Sequence, residues 1–266
     1  MFSEVALFMD FKKIVVGTTC AIGVATVGLG VYFGVRQYKF KKFMEIGDAL
    51  PVNFKYTAHT GCMGTDDNSL ESIDAAVANG ADIVEFDLNF TESGEPVLAH
   101  DAPKGGEVTL DEAFKKVSEY ENIMVNVDIK STVNLPIVRT LAEKYGIFDR
   151  IFFTGVNDKF LDAVRSDGNG VPYYLNVDVK SESKRSAKYI QSLVDKVKNS
   201  GAIGINFNKK NATAELVKAF HNSELLVSIW TVDDEYNMYR ILSYAPDNIT
   251  TRNPNMLKEV METIKS

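Results

Sequence analysis

Ile83-Val84-Glu85-Phe86-Asp87-Leu88 is apolar except for two carboxylates. In an extended strand the period of two sets Glu85 and Asp87 on one face, so a segment built like a core strand carries two negative charges side by side. Charges so placed repel unless a cation compensates them, which points to a bound hard metal ion. Upstream, Tyr56-Thr57-Ala58-His59-Thr60-Gly61 carries one histidine, and downstream Pro96-Val97-Leu98-Ala99-His100-Asp101 carries another. A histidine beside such an ion can serve as acid or base. Thr91-Glu92-Ser93-Gly94-Glu95 is too short to join parallel strands and predicts a hairpin with its return strand at 97–100. With the turn centred near Ser93-Gly94, Asp87 faces His100 across the ladder.

From Phe54 onward apolar runs alternate with amphipathic stretches. Strands are expected at 55–58, 82–87, 123–128, 151–154, 172–176, 203–206, 226–230 and 248–250. Helices are expected between them, at 70–79, 110–120, 135–145, 158–166, 183–199, 212–222 and 234–243, with a last one at 254–264. This alternation predicts a (β/α)8 TIM barrel, with a doubly wound open sheet as the alternative. In a barrel the residues at strand C-termini converge on one mouth. His59, Glu85, Asp87, Asp128, Lys130 and Trp230 all fall at or just beyond such ends.

The order His59-Thr60-Gly61, Asp67-Asn68-Ser69, Glu85-x-Asp87, His100-Asp101 resembles the N-terminal signature of glycerophosphodiester phosphodiesterases, His-Arg-Gly, Glu-Asn-Thr, Glu-x-Asp, His-Asp. Asn126-Val127-Asp128-Ile129-Lys130 resembles that family's Asn-Ile-Glu-Ile-Lys, and Trp230-Thr231-Val232-Asp233 its Trp-Thr-Val-Asn. The likeness runs from about Phe54 to the C-terminus. It implies a barrel phosphodiesterase in which His59 and His100 exchange protons with nucleophile and leaving group, with Asn68 among the substrate-binding residues.

The chemistry of the residues agrees with this. A phosphodiester has poor leaving groups, so its hydrolysis needs a cation on the phosphate oxygens, a base and an acid. Glu85, Asp87 and Asp128 offer three oxygen donors for one divalent cation, Mg²⁺ or Ca²⁺. Lys130 shares a face with Asp128 and can hold phosphate as a point charge, and Trp230 can floor the substrate site. The chain departs from the family pattern at Thr60, which stands in place of an Arg, at the shortened side chains of Asp67 and Asp128, and at Arg252, where an Asp often follows Ile-Thr. Asp128-x-Lys130 resembles the related sphingomyelinase D-like barrels. The segment 101–109 is shorter than the insertion many members carry, which predicts an open pocket.

Residues 14–35 hold no charged side chain and are flanked by Lys12, Lys13, Arg36 and Lys39. As a helix they would rise about 33 Å, enough to cross a bilayer. The sequence therefore predicts a tail at 1–13, a transmembrane helix at 14–35, a basic linker at 36–52 and the barrel at 53–266. A cleaved signal peptide and a buried helix are the competing expectations. A Gly-x-x-x-Gly in this stretch allows a homodimer paired through the helix. The greater basic charge on its C-terminal side places the barrel on the cytoplasmic face of a single-pass membrane protein.

The net charge of −7 argues against a nucleic-acid surface, and no basic aromatic strip for stacking bases is present. Two cysteines make no disulfide framework. Cys62 lacks the Arg-bearing anion loop that thiolate phosphate chemistry needs, and His221, far from any strand end, is expected at the surface. The expected partner is a small phosphodiester or a lysolipid. A phospholipase forming a cyclic phosphate and a non-catalytic phospho-ligand-binding barrel are the alternatives.

Overall fold

The structure, a computed structural model, describes residues 50–265. Nine strands occur in it: β1 (Lys55–Ala58), β2 (Ile83–Phe90), β3 (Pro96–Leu98), β4 (Met124–Ile129), β5 (Ile151–Val156), β6 (Tyr173–Asn176), β7 (Gly204–Asn208), β8 (Leu226–Trp230) and β9 (Asn248–Thr251). All but β3 pair in parallel, and β1 pairs with both β9 and β2, so eight strands close into a barrel. The eight α-helices among the described residues are α1 (Leu70–Ala78), α2 (Leu110–Ser118), α3 (Pro136–Lys144), α4 (Leu161–Asp167), α5 (Ala187–Ser200), α6 (Ala214–His221), α7 (Glu235–Leu242) and α8 (Pro254–Lys265). The expected TIM barrel is therefore present and the open sheet is excluded.

The two faces of each strand explain the closure. Val84, Phe86, Val125, Val127, Phe153, Leu175, Ile205, Phe207, Val227 and Ile229 sit at positions alternating with the polar interior ones and are buried. Helix α2 shows how this row is covered. Leu110, Ala113, Phe114 and Val117 recur at helical spacing and are fully buried, with the Phe114 ring centroid 6.2 Å from that of Phe86. Thr109 and Glu112 close a capping box at its start. Truncating Phe114 to Ala in such a setting costs about 3–5 kcal/mol.

The barrel interior changes character along its axis. Ile83, Phe152 and Tyr174 form an apolar plug at the strand N-termini. Above it lies a buried polar layer. The Thr57 hydroxyl donates to Asn248 Oδ1 at 2.9 Å, and Asn248 Nδ2 donates to Ser228 Oγ at 3.0 Å. These bonds satisfy groups that burial would otherwise penalise, and they leave the strand C-termini free to carry charge. Strand β5 is irregular between Phe153 and Val156, where Gly155 has φ +74°. A Cβ there would lie 2.4 Å from the Ile129 carbonyl oxygen, so only glycine fits.

Two expectations are corrected. In the β2–β3 hairpin Leu88 pairs with Leu98, and the Ala99 N–H donates to the Asp87 carbonyl. Asp87 thus faces Ala99, not His100, because three residues rather than two form the turn. Thr91 and Glu95 close that turn, and Gly94 sits at φ +81°.

The second correction concerns the membrane. Among the described residues no helix is long and apolar enough to cross a membrane, which overturns the placement as a single-pass membrane protein with a cytoplasmic barrel. The longest described helix, α5, has 14 residues and rises about 21 Å, short of the roughly 30 Å of bilayer hydrocarbon. It also has one stripe buried against the barrel. The 14–35 segment, and with it the expected anchor and helix-paired dimer, lies outside the described residues.

Candidate active site

The strand C-termini open into a cavity of about 480 Å³, a size that suits a small ligand. Seven of the eight expected site residues line it: His59, Glu85, Asp87, His100, Asp128, Lys130 and Trp230. Sheet register places the carboxylates. Asp87 on β2 is paired directly with Asp128 on β4, and Glu85 lies two residues earlier on the same face. One oxygen from each of Glu85, Asp87 and Asp128 lies within 4.8 Å of the others.

Each carboxylate is held by neighbours. The Thr60 N–H donates to Glu85 Oε2 at 2.8 Å, and the Thr154 hydroxyl donates to Asp128 Oδ1 at 2.6 Å. Lys130 Nζ lies 3.0 Å from Asp87 Oδ1 and 2.5 Å from Asp128 Oδ2. Burial works against the lysine's charge, yet Asp128 and Asp87 outweigh it and hold the ammonium protonated. Burial, then the adjacent Asp87 and Asp128, push the Glu85 carboxyl well above the usual carboxylate range. Three carboxylates against one ammonium leave a deficit of positive charge. An oxygen-seeking divalent ion fits that deficit and this donor set.

Asn68 is placed otherwise than expected. It does not line the cavity. Its Nδ2 donates to Asp87 Oδ2 at 2.9 Å and its Oδ1 accepts the Asp87 N–H at 2.9 Å, so the amide orients a carboxylate rather than facing a substrate. Asn68 adopts φ +60°, and Gly61, before it in the same loop, has φ +70°. A Cβ on Gly61 would fall 2.1 Å from Asp67 Oδ1, which accounts for the glycine after His59-Thr60.

His59 Nδ1 lies 2.9 Å from the Thr60 carbonyl oxygen and 3.7 Å from Glu85 Oε2. A carbonyl only accepts, so Nδ1 carries the proton in that bond, and in the neutral ring Nε2 is the nitrogen with the lone pair. His100 stands at the open rim with its side chain 69% exposed, and its Nδ1 is 3.0 Å from Asp101 Oδ1. Cys62 is fully buried with its thiol on the Ser72 carbonyl, and burial pushes its pKa up, which removes it as a nucleophile. His221 lies away from the cavity, paired with Asp247 at 2.8 Å.

Other lining residues were given no site role in the sequence reading: Asn126, Thr154, Asn157, Asn176, Asn206 and Arg252. An asparagine within or just after each of β4, β5, β6 and β7 was the available signal. Asn206 Nδ2 donates to Asn176 Oδ1 at 3.1 Å, while Asn206 Oδ1 and Trp230 Nε1 are buried with no partner among the described residues. Thr60 does not reach the cavity, since its hydroxyl accepts the Asn68 N–H.

A family model described as the glycerophosphoryl diester phosphodiesterase family matches residues 55–118 and 102–256. A curated glycerophosphodiester phosphodiesterase of Bacillus altitudinis is 23% identical over 253 residues, covering 79% of this chain and 99% of that protein. Among solved structures, a glycerophosphodiester phosphodiesterase from Parabacteroides distasonis superposes with a TM-score of 0.65 at 18% identity, covering 80% of this chain and 99% of that one. A phosphodiesterase of Oleispira antarctica, in complex with the product sn-glycerol-3-phosphate, superposes with a TM-score of 0.66 at 17% identity, covering 80% and 97%. At these identities the superpositions establish a shared barrel.

Proposed function

Because the chain belongs to the glycerophosphoryl diester phosphodiesterase family and is thereby a phosphoric diester hydrolase, we propose that it cleaves glycerophosphodiesters or lysophospholipids to glycerol phosphate or lysophosphatidate and an alcohol. The observation that carries this reading is the gathering of Glu85, Asp87 and Asp128 beside His59 and Lys130 in one cavity.

Glu85, Asp87 and Asp128 would hold a divalent ion, which would supply Lewis acidity toward the phosphate group. The remaining work falls to this chain's own groups. Asn68, Thr60 and Thr154 keep the three carboxylates oriented, and Lys130 offsets part of their charge. His59 presents Nε2 to take or return a proton, with Thr60 and Glu85 fixing the other nitrogen. His100, open to solvent and backed by Asp101, is the second proton carrier.

The lining is divided. Strands β9, β1, β2 and β4, with the turn after β3, bring every ionisable group, whereas β5 to β8 and their loops bring Thr154, Asn157, Asn176, Asn206 and Trp230. On that neutral arc the free acceptor of Asn206 and the free donor of Trp230 suit hydroxyl groups, which both donate and accept. This favours a glycerophosphodiester. Phe160 is the apolar side chain that the chain of a lysophospholipid would meet.

Incubating the full chain with a panel of glycerophosphodiesters and lysophospholipids, followed by phosphorus NMR, tests the proposal. Glycerol phosphate or lysophosphatidate is expected. A stable cyclic phosphate would assign internal attack by a substrate hydroxyl, and no turnover of any diester with Mg²⁺ or Ca²⁺ would leave a binding barrel.

A further inference from the structure

A phosphodiester brings a negative charge into a mouth that already holds three carboxylates, so some cationic side chain has to meet its oxygens. Among the described lining residues two are permanently cationic, Lys130 and Arg252. Lys130 has two of its three N–H donors directed at Asp87 and Asp128. Thr60 contributes no charge and is turned away.

Arg252 differs from Lys130 in how its head is held. Its guanidinium makes one loose ion pair among the described residues, 3.5 Å from Asp67 Oδ1, with the two side chains 41% and 59% exposed. That is well beyond the 2.7–2.9 Å typical of a charge-assisted bond, and exposed pairs of this kind contribute little to stability. The stem is fixed. The Arg252 N–H donates to Asp233 Oδ1 at 2.7 Å, its carbonyl accepts the Met63 N–H at 2.9 Å, and the Asp233 carbonyl accepts Asn253 Nδ2 at 2.9 Å. By the strand period Arg252 continues the inward row of Asn248 and Thr250 at the top of β9. An anchored backbone therefore carries a lightly held planar fork at the cavity wall, and such a fork matches the oxygens of phosphate two at a time.

We infer that Arg252 is the phosphate-gripping side chain of this mouth, and that Asp67 is a parking partner from which an entering phosphate group draws it. The assignment rests on the phosphodiesterase reading above and adds to it a binding residue and a competitor for it. Asp67 sits in the loop that also carries Asn68, so phosphate entry releases a charge beside the group that orients Asp87.

The test uses the full chain, saturated with Mg²⁺ or Ca²⁺, and calorimetric titration with inorganic phosphate and with sn-glycerol 3-phosphate, alongside steady-state hydrolysis of a glycerophosphodiester. Arg252→Gln is expected to weaken binding of both anions and to raise KM by about tenfold or more, with a smaller fall in kcat. Arg252→Lys should recover part of the binding, and Asp67→Asn should tighten it by a few-fold, by removing the competitor. Binding by Arg252→Gln within twofold of wild type, or no anion binding by the wild type, overturns the inference. So does Asp67→Asn weakening binding to the same degree as Arg252→Gln, because the pair would then be only a loop fastening. Wild-type anion binding that Arg252→Gln loses, without hydrolysis of any diester, overturns the hydrolase reading and supports Arg252. Hydrolysis with KM unchanged in Arg252→Gln does the reverse.

Discussion

Asn68 holds Asp87 at both ends of one amide, Nδ2 on the carboxylate and Oδ1 on the backbone N–H, each at 2.9 Å. The grip fixes the rotamer of a buried carboxylate flanked by Glu85 and Asp128. Groups that orient metal ligands in this way typically change affinity by about 10–100-fold when lost. Asn68→Ala is therefore expected to weaken Mg²⁺ or Ca²⁺ binding by that order, measured by calorimetry, with the barrel's circular dichroism unchanged. Undiminished affinity would show that Asp87 needs no such support.

His59 has its Nδ1 committed to the Thr60 carbonyl, so its chemistry resides at Nε2. His59→Ala is expected to lower kcat by about 10²–10⁴-fold while leaving divalent-ion affinity largely intact, and His100→Ala to act in the same direction. Near wild-type kcat in either variant would remove that histidine from proton transfer.

Trp230 Nε1 and Asn206 Oδ1 are buried without partners among the described residues, a state that costs free energy unless a ligand or water supplies the missing bond. Trp230→Phe keeps an aromatic ring, though a smaller one, and deletes the donor. KM for a glycerophosphodiester is expected to rise by roughly 3–10-fold, about 1 kcal/mol, as for one lost hydrogen bond. An equal rise for an analogue lacking the glycerol hydroxyls would show that the N–H serves something else.

How much of this was legible follows from what each residue contacts. The outward rows of the strands, such as Val84-x-Phe86 and Val125-x-Val127, are apolar because helices cover them, and that local signal marked all eight barrel strands. Glu85, Asp87 and Asp128 were legible because carboxylates in buried strands have few other uses. The partner of Asp87 was misread by one residue because hairpin register depends on the conformation of Gly94, which composition does not specify. Asn68 resembled a substrate contact because its motif says that the residue matters, not which way its amide turns. Asn206 and Arg252 act through positions on separate strands, a relation visible only once the sheet closes.

Away from the mouth, Asp74 on α1 accepts from Lys116 Nζ at 2.9 Å and from the Tyr120 hydroxyl. Burial raises the Asp74 pKa, but Tyr120 and Lys116 outweigh it and hold the carboxyl below its usual value. A carboxyl depressed in the folded state adds stability above its unfolded pKa and loses it as pH falls through the folded value. Because the group is half exposed, Asp74→Asn should lower Tm by only about 1–2 °C at pH 7. That difference should shrink toward zero below about pH 4, as followed by thermal melts across pH. A gap that widens in acid would contradict the sign.

The most direct measurement is metal-dependent hydrolysis by the full chain after exhaustive chelation, with metal content determined on the same sample. Hydrolysis of a glycerophosphodiester should vanish with the ion and return on adding Mg²⁺ or Ca²⁺, and Asp128→Asn should bind the ion weakly and remain slow. Full activity in a sample shown to hold no divalent ion would contradict the claim that Glu85, Asp87 and Asp128 gather to hold one.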